Sequence, residues 1–228
     1  VTAVLPSIGV LYNVNDKLSL LAGAYNGFGT PTTTSGVEEE QALNVELGGR
    51  YQQADLMIEL IAFTSDYENL VGECTASSST SDCDIGDQFN GGQATVRGLE
   101  FQLTNSFQLT DSTTMPVSIA YTYTDAEFDS TFDGEFFGDV SKGDPIPYIP
   151  KTQVALALGL DNGPYRVNAN LNYVDEVCVK ASCVDFEKTD DSTVLDLVGN
   201  YQVNDSLGVY LRLENITDEV DIIARQPK

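Results

Sequence analysis

The chain has 228 residues, enough for one large all-β domain or two small ones, yet no run approaches the roughly eighteen apolar residues that a membrane helix needs. Its 35 acidic against 11 basic residues and formal charge of −24 exclude nucleic acid as a partner, because phosphate neutralisation demands Lys and Arg; such acidity fits solubility or a halotolerant or marine source. With no His at all, imidazole metal sites, Ser-His-Asp triads and His acid–base catalysis are excluded, and no carboxylate pair is placed across a cleft as glycoside hydrolysis needs, so the chain is not expected to be an enzyme.

Taken in order, the chain alternates with a period of two. Ser7 to Tyr12 puts Ile8, Val10 and Tyr12 on one face, turns at Asn13 to Asp16, and returns to Tyr25 with Leu18, Leu20, Ala22 and Ala24 apolar. The Gly-, Pro-, Thr- and Glu-rich stretch from Asn26 to Glu40 is loop chemistry. Gln41 to Tyr51 sets Leu43, Val45, Leu47 and Tyr51 against Asn44, Glu46 and Arg50, turns at Gln52 to Asp55, and returns with Leu56, Ile58, Leu60 and Ala62 opposite Glu59. A loop from Asp66 to Gly92 carries Cys74 and Cys83. The fifth strand holds Leu99, Phe101, Leu103 and Phe107, the sixth Val117, Ile119, Tyr121 and Tyr123, with a turn at Thr110 to Thr114 between them. A third long loop, Asp125 to Pro150, leads to Lys151 to Leu160, and Asp161-Asn162-Gly163 signals a hairpin into PYRVNANLNYV, Pro164 to Val174. Cys178 and Cys183 lie in a fourth long loop, before a strand around Thr193 to Tyr201, a turn at Gln202 to Asp205, and a tenth strand with Leu207, Val209, Leu211 and Leu213 on one side.

Three regularities separate this pattern from a soluble sheet. Connections alternate between short turns and long loops, the asymmetry of an outer-membrane barrel. Tyr12, Tyr51, Phe107, Tyr165 and Tyr201 each lie near a short turn, and Tyr165 and Tyr173 are spaced by roughly 26 Å of strand, about 20 Å of height at a tilt of ~40°, which approximates an apolar band with an aromatic girdle at each interface. The absence of Trp, usual in girdles, runs against it. Glu46, Arg50, Glu59, Glu100, Arg166, Arg212 and Glu214 share the polar parity, as a wet lumen requires, since Lys or Arg facing lipid at mid-depth costs ~2–4 kcal/mol. The expected fold is all-β, an antiparallel transmembrane β-barrel portion with short periplasmic turns and long extracellular loops. The two local Cys pairs, Cys74 with Cys83 and Cys178 with Cys183, sit in polar, acidic stretches too widely spaced for zinc and read as short-loop disulfides of an oxidising compartment. Val1 opens directly into Leu5 and Ile8 without a charged n-region or a cleavage motif, so no signal peptide is expected in this stretch and the chain is either mature or a fragment.

LPSIGVLYNVNDKLSLLAGAYNGFGTP (Leu5 to Pro31), ELGGRYQ (Glu46 to Gln52), IAFTSDYENLV (Ile61 to Val71), RGLEFQL (Arg97 to Leu103) and LENITDEVDIIARQP (Leu213 to Pro227) resemble the barrel half of TonB-dependent outer-membrane receptors, and within that family the first block is most similar to the siderophore and ferric citrate receptors. The resemblance implies a bacterial outer-membrane location and a 22-stranded barrel of which about ten strands are here, residues 1–228 being its C-terminal portion with the plug domain and final strand outside the chain. It also implies import of a scarce ferric chelate, energised through TonB by way of the missing N-terminal part, with outer-membrane lipid and lipopolysaccharide as surroundings. A secreted, disulfide-bearing β-sheet ligand-binding protein and a passive porin-like channel are the alternatives.

Family ligands meet aromatic and basic side chains, so Arg97, Phe132, Phe136, Phe137 and Tyr148 are candidate ligand contacts; the alternatives are a lumen salt bridge for Arg97 and loop self-packing for the aromatics. Loop cations are limited to Lys142, Lys180 and Lys188, which does not favour an anionic ferric citrate. Glu73, Asp82, Asp84 and Asp87, hard oxygen ligands close together, are candidate ligands of a structural calcium ion, against a solvated acidic loop.

Overall fold

The computed structural model describes residues 4–30, 36–73, 84–134 and 137–224. Ten strands form one sheet: β1 (Ser7–Asn13), β2 (Leu18–Gly29), β3 (Glu40–Gln53), β4 (Leu56–Glu68), β7 (Ala94–Thr110), β8 (Thr113–Phe128), β11 (Thr152–Asn162), β12 (Tyr165–Val174), β13 (Ser192–Asn204) and β14 (Leu207–Leu213). Each pairs antiparallel with the next in chain order, a pure meander whose edges are β1 and β14. Two short hairpins belong to the loops: β5 (Val71–Glu73) with β6 (Gln88–Asn90), and β9 (Phe132–Gly134) with β10 (Gly138–Val140).

The register aligns the apolar parity of every strand. Val45, Leu47 and Tyr51 pair with Thr64, Ala62 and Ile58; Ile58, Leu60 and Ala62 pair in turn with Leu103, Phe101 and Leu99. The same column continues through Tyr121, Val154, Tyr173 and Thr193. Because side chains alternate across a strand, one face of the sheet is a continuous apolar surface, and none of the described residues covers it. Leu47 is 65% exposed and Leu211 60%. An apolar surface of this extent marks contact with lipid or another protein.

Pairing runs further than the hydrophobic pattern. The second strand ends at Gly29 rather than Tyr25, the fourth at Glu68 rather than Ala62, and the sixth at Phe128 rather than Tyr123. Backbone groups continue to bond each other where side chains have turned polar, so composition announces the end of the apolar band and not the end of the strand. The turns are correspondingly tighter than expected: Ala54–Asp55, Asp111–Ser112, Gly163–Pro164 and Asp205–Ser206 hold two residues each. Gly163, at φ +57°, and Ala54, at φ +51°, supply the left-handed conformation that such hairpins use.

The packed core lies beyond the sheet at its loop end. Ala94, Phe128, Phe137, Val140 and Ala181 are buried there, with Tyr67, Leu70, Phe89, Phe132 and Ile146 packed around them. It joins strand ends to three different loops, so the loops form a platform and not separate flaps.

Candidate functional site

The charged and hydrogen-bonding side chains gather on the polar face and on the loop platform. On the polar face, cross-strand partners neutralise the guanidinium groups: Arg50 meets Glu59 at 2.5 Å and Arg166 meets Asp161 at 2.7 Å, while Arg212 meets Glu214 along one strand at 2.7 Å. Asn168, Asn170 and Asn172 stand between the small side chains of Ala155, Ala157 and Gly159 on β11 and Val194, Asp196 and Val198 on β13. At the turn end of the opposite, apolar face, the rings of Tyr165 and Tyr201 stack with centroids 4.5 Å apart, which places an aromatic pair where the hairpins end.

Arg97 is the clearest departure from expectation. It shares parity with Leu99, Phe101 and Leu103, one step beyond the Leu99–Tyr123 pair, and its cross-strand partner is Asp125. Two of its nitrogens donate to Asp125 Oδ2, at 3.1 and 2.7 Å. Its place is therefore on the apolar face above the aromatic level; the salt bridge it makes is with Asp125 and does not face the lumen. The reason is the overrun of the strand: alternation carries on past the band, so the side chain inherits the outward direction. Beside it, the Thr95 hydroxyl bonds both Asp66 and Asp129.

Among the aromatic candidates, Phe137 is buried and contacts Phe89, Phe128 and Phe132 edge-on, with centroids 5.8, 5.1 and 6.3 Å away. Phe132 also meets Phe128 at 5.4 Å. Edge-to-face packing of this kind favours both rings, and it commits Phe132 and Phe137 to the platform interior. Phe136 lies outside the described residues. Tyr148 is 43% exposed and left-handed at φ +63°. Its N–H donates to the Cys178 carbonyl at 2.9 Å, and partial burial raises the pKa of its phenol.

Cys178 and Cys183 form a disulfide with Cα atoms 5.0 Å apart. The bridged loop presses Val179 and Ala181 inward, and Ala181 N–H donates to the Phe137 carbonyl at 3.1 Å. Lys188 bonds Glu176 at 2.8 Å, which raises its pKa. Cys74 and Cys83 lie outside the described residues, as does Asp82. Glu73 ends β5, and Asp84 and Asp87 close a turn on themselves: Asp87 N–H donates to the Asp84 carbonyl at 3.0 Å, and Asp84 N–H to Asp87 Oδ2 at 3.3 Å. Among the described residues no group of three carboxylates or thiols is gathered as metal ligands.

Sequence reasoning missed the side chains that lock the loops together. Asn90 Oδ1 accepts from Glu38 N–H at 2.8 Å and its amide nitrogen donates to the carbonyls of Glu38 and Asn69. Asp190 and Ile222 exchange two bonds, tying the fourth loop to the segment after β14. Nothing in an isolated stretch signals such pairs, because the partners are far apart in the chain.

An antiparallel meander with one uncovered apolar face, aromatic ends, a charged polar face and long loops on one side only is the wall of an outer-membrane β-barrel. Residues 1–216 match the family described as TonB dependent receptor-like, beta-barrel, and the chain belongs to that family, whose members are outer-membrane proteins. Three of the solved structures that share the fold serve as examples. They are the ferric yersiniabactin uptake receptor FyuA from Yersinia pestis (15% identity, TM-score 0.72, 94% of this chain and 32% of that one), the siderophore receptor PiuA from Acinetobacter baumannii (18%, 0.73, 93% and 31%), and the ferric-catecholate import receptor Fiu from Escherichia coli K12 (20%, 0.70, 93% and 30%). The chain thus spans about a third of the length of each. The short turns are periplasmic, the loop platform is extracellular and the polar face is the lumen side.

Proposed function

We propose that the chain is the later part of the barrel of a receptor that imports a small ferric chelate across the outer membrane, with energy delivered through TonB to parts of the protein outside residues 1–228. The observation that carries this reading is the family match over residues 1–216, and the siderophore receptors among the similar structures favour a ferric chelate over other solutes. Ten strands leave the edges of β1 and β14 open; a bilayer does not tolerate unpaired edges, which supports further strands from the same protein, for a total on the order of the 22 of plugged outer-membrane transporters. Of the candidates Phe132, Phe137 and Tyr148, only Tyr148 is left half-exposed on the platform, where it can touch a ligand; Arg97, on the outward side, is better placed to meet lipopolysaccharide.

The test is growth and radioactive iron uptake in iron-starved cells carrying or lacking the full-length gene, across a panel of ferric chelates, with and without TonB. Uptake of at least one chelate that requires both the receptor and TonB is expected. Uptake that survives loss of TonB would identify a passive channel instead, and a protein that partitions into the aqueous phase and stays monodisperse without detergent would sink the membrane reading.

A further inference from the structure

Among the described residues six other than glycine have a left-handed backbone. Ala54 belongs to a two-residue hairpin turn that uses this conformation, and Asn69, Asn215 and Asp218 carry the short polar side chain that tolerates it. The other two are Tyr148, at φ +63°, and Cys183, at φ +47°. They lie in the third and fourth long loops and are joined through one residue: Tyr148 N–H donates to the Cys178 carbonyl at 2.9 Å, and Cys183 is bridged to Cys178. A bulky residue keeps such a conformation only where its surroundings impose it.

Two devices fix Cys178. On one side is a short ladder, in which Val179 N–H donates to the Glu187 carbonyl at 2.8 Å and Thr189 N–H to the Val177 carbonyl at 2.9 Å. On the other is the bridge, which closes the turn where Cys183 N–H donates to the Lys180 carbonyl at 3.2 Å and Ala181 is pressed into the platform. Both cysteines are partly exposed and line a recess of about 280 Å³ between the two loops. A small solute can therefore reach the bridge, whereas the ladder beside it offers no chemistry of its own.

We propose that the Cys178–Cys183 bridge is a thiol-sensitive clamp on Tyr148: closed, it holds the half-exposed ring in place for the imported cargo, and opened by an external low-molecular-weight thiol it lets Tyr148 relax and lowers capture. The cargo half of this assignment rests on the transport reading above. In the opening step an external thiolate attacks one bridging sulfur and breaks the S–S bond. That cysteine becomes a mixed disulfide, and the other leaves as a thiolate and takes up a proton. A second external thiolate attacks the external sulfur of the mixed disulfide and frees the remaining cysteine, which is protonated in turn. Two external thiols are thus oxidised to their disulfide while the bridge is reduced to two thiols. Closing the bridge again forces Tyr148 back into its unfavourable conformation, so the two are coupled in both directions.

The test equilibrates purified full-length receptor, in a Cys74→Ser/Cys83→Ser background, with mixtures of reduced and oxidised glutathione and reads the open fraction at Cys178 by alkylation and mass spectrometry. Substitution at position 148 separates backbone from ring, because Ala keeps the left-handed cost and Gly removes it. The bridge of Tyr148→Gly is expected to be about fivefold harder to open than that of Tyr148→Ala, and Ala54→Gly, in a turn at the other end of the sheet, should change nothing. With Tyr148 retained, opening the bridge should speed amide exchange at Tyr148 and leave Leu70 as it was. Equal opening of the Gly and Ala variants overturns the proposal, as does a Tyr148 amide indifferent to opening, for then the ladder alone holds the loop; the second measurement decides even where a variant does not assemble. In cells carrying the same background, external glutathione should lower iron uptake from a chelate that the panel above identifies, and should not do so in Cys178→Ser/Cys183→Ser. Uptake indifferent to glutathione overturns the role in capture. The exchange measurements need no chelate, so the coupling is decided separately from the transport reading.

Discussion

Asn215 shows how one residue ends a strand. It follows β14 by two positions in a left-handed conformation, φ +48°, which Asn tolerates better than most residues. Its N–H donates to Asp196 Oδ1 at 2.8 Å, its side chain donates to the Glu219 carbonyl at 2.9 Å, and its Oδ1 accepts from Glu219 N–H at 3.1 Å. Thr217 adds a bond to the Thr193 carbonyl. The Asn-Ile-Thr-Asp stretch thus folds over the top of β13, which gives a structural reason for the residues that carried part of the family resemblance. Asn215→Ala should cost about 1–3 kcal/mol in urea unfolding of the full-length receptor in detergent. Asn215→Gly, which keeps the backbone conformation and loses only the side-chain bonds, should cost less. Equal losses would mean that the left-handed backbone contributes nothing.

At the scale of the element, the period of two was legible from sequence because burial is replaced by lipid on one face and water on the other, and each strand obeys the rule alone. β12 allows a direct check. Ala169 faces outward midway between Tyr165 and Tyr173, paired with Leu158 and Leu197, while Asn170 faces the lumen beside Asp196. Ala169→Arg should cost ~2–4 kcal/mol of barrel stability, and Asn170→Arg should cost little, because its new charge meets a carboxylate. Heat-modifiability on semi-native gels reads the difference; equal losses would refute the assignment of faces. Close approach between strands was not legible. Gly98 looks like any strand glycine, yet a Cβ there would lie 2.2 Å from the Tyr123 carbonyl oxygen as well as against Phe63. Gly98→Ala should therefore lower the yield of assembled barrel, whereas Gly199→Ala, with nothing within 4 Å of the added atom, should leave it unchanged.

For the whole molecule, the sequence reading recovered ten strands, their order and the two kinds of connection, because these follow from local alternation and punctuation. It did not recover the direction of Arg97 or the joining of the loops. Both depend on register across strands and on contacts between residues such as Phe137 and Ala181 that no short window contains. The joined loops carry a consequence for dynamics. Phe137 touches Phe89, Phe128 and Phe132, its carbonyl holds Ala181, and Leu70 exchanges bonds with Gly91 and Gly92 alongside. Removing a ring of this size from a packed cluster costs about 3–5 kcal/mol, and because the cluster joins several loops the loss should be shared among them. In Phe137→Ala, amide hydrogen exchange should accelerate together around Leu70, Phe128, Val140 and Ala181, while mid-strand amides of β3 and β12 keep their protection. Faster exchange confined to the segment around Phe137 would show the loops to be independent, and a ligand could then close them one at a time. Concerted exchange would mean that this part of the extracellular surface meets its ligand already formed.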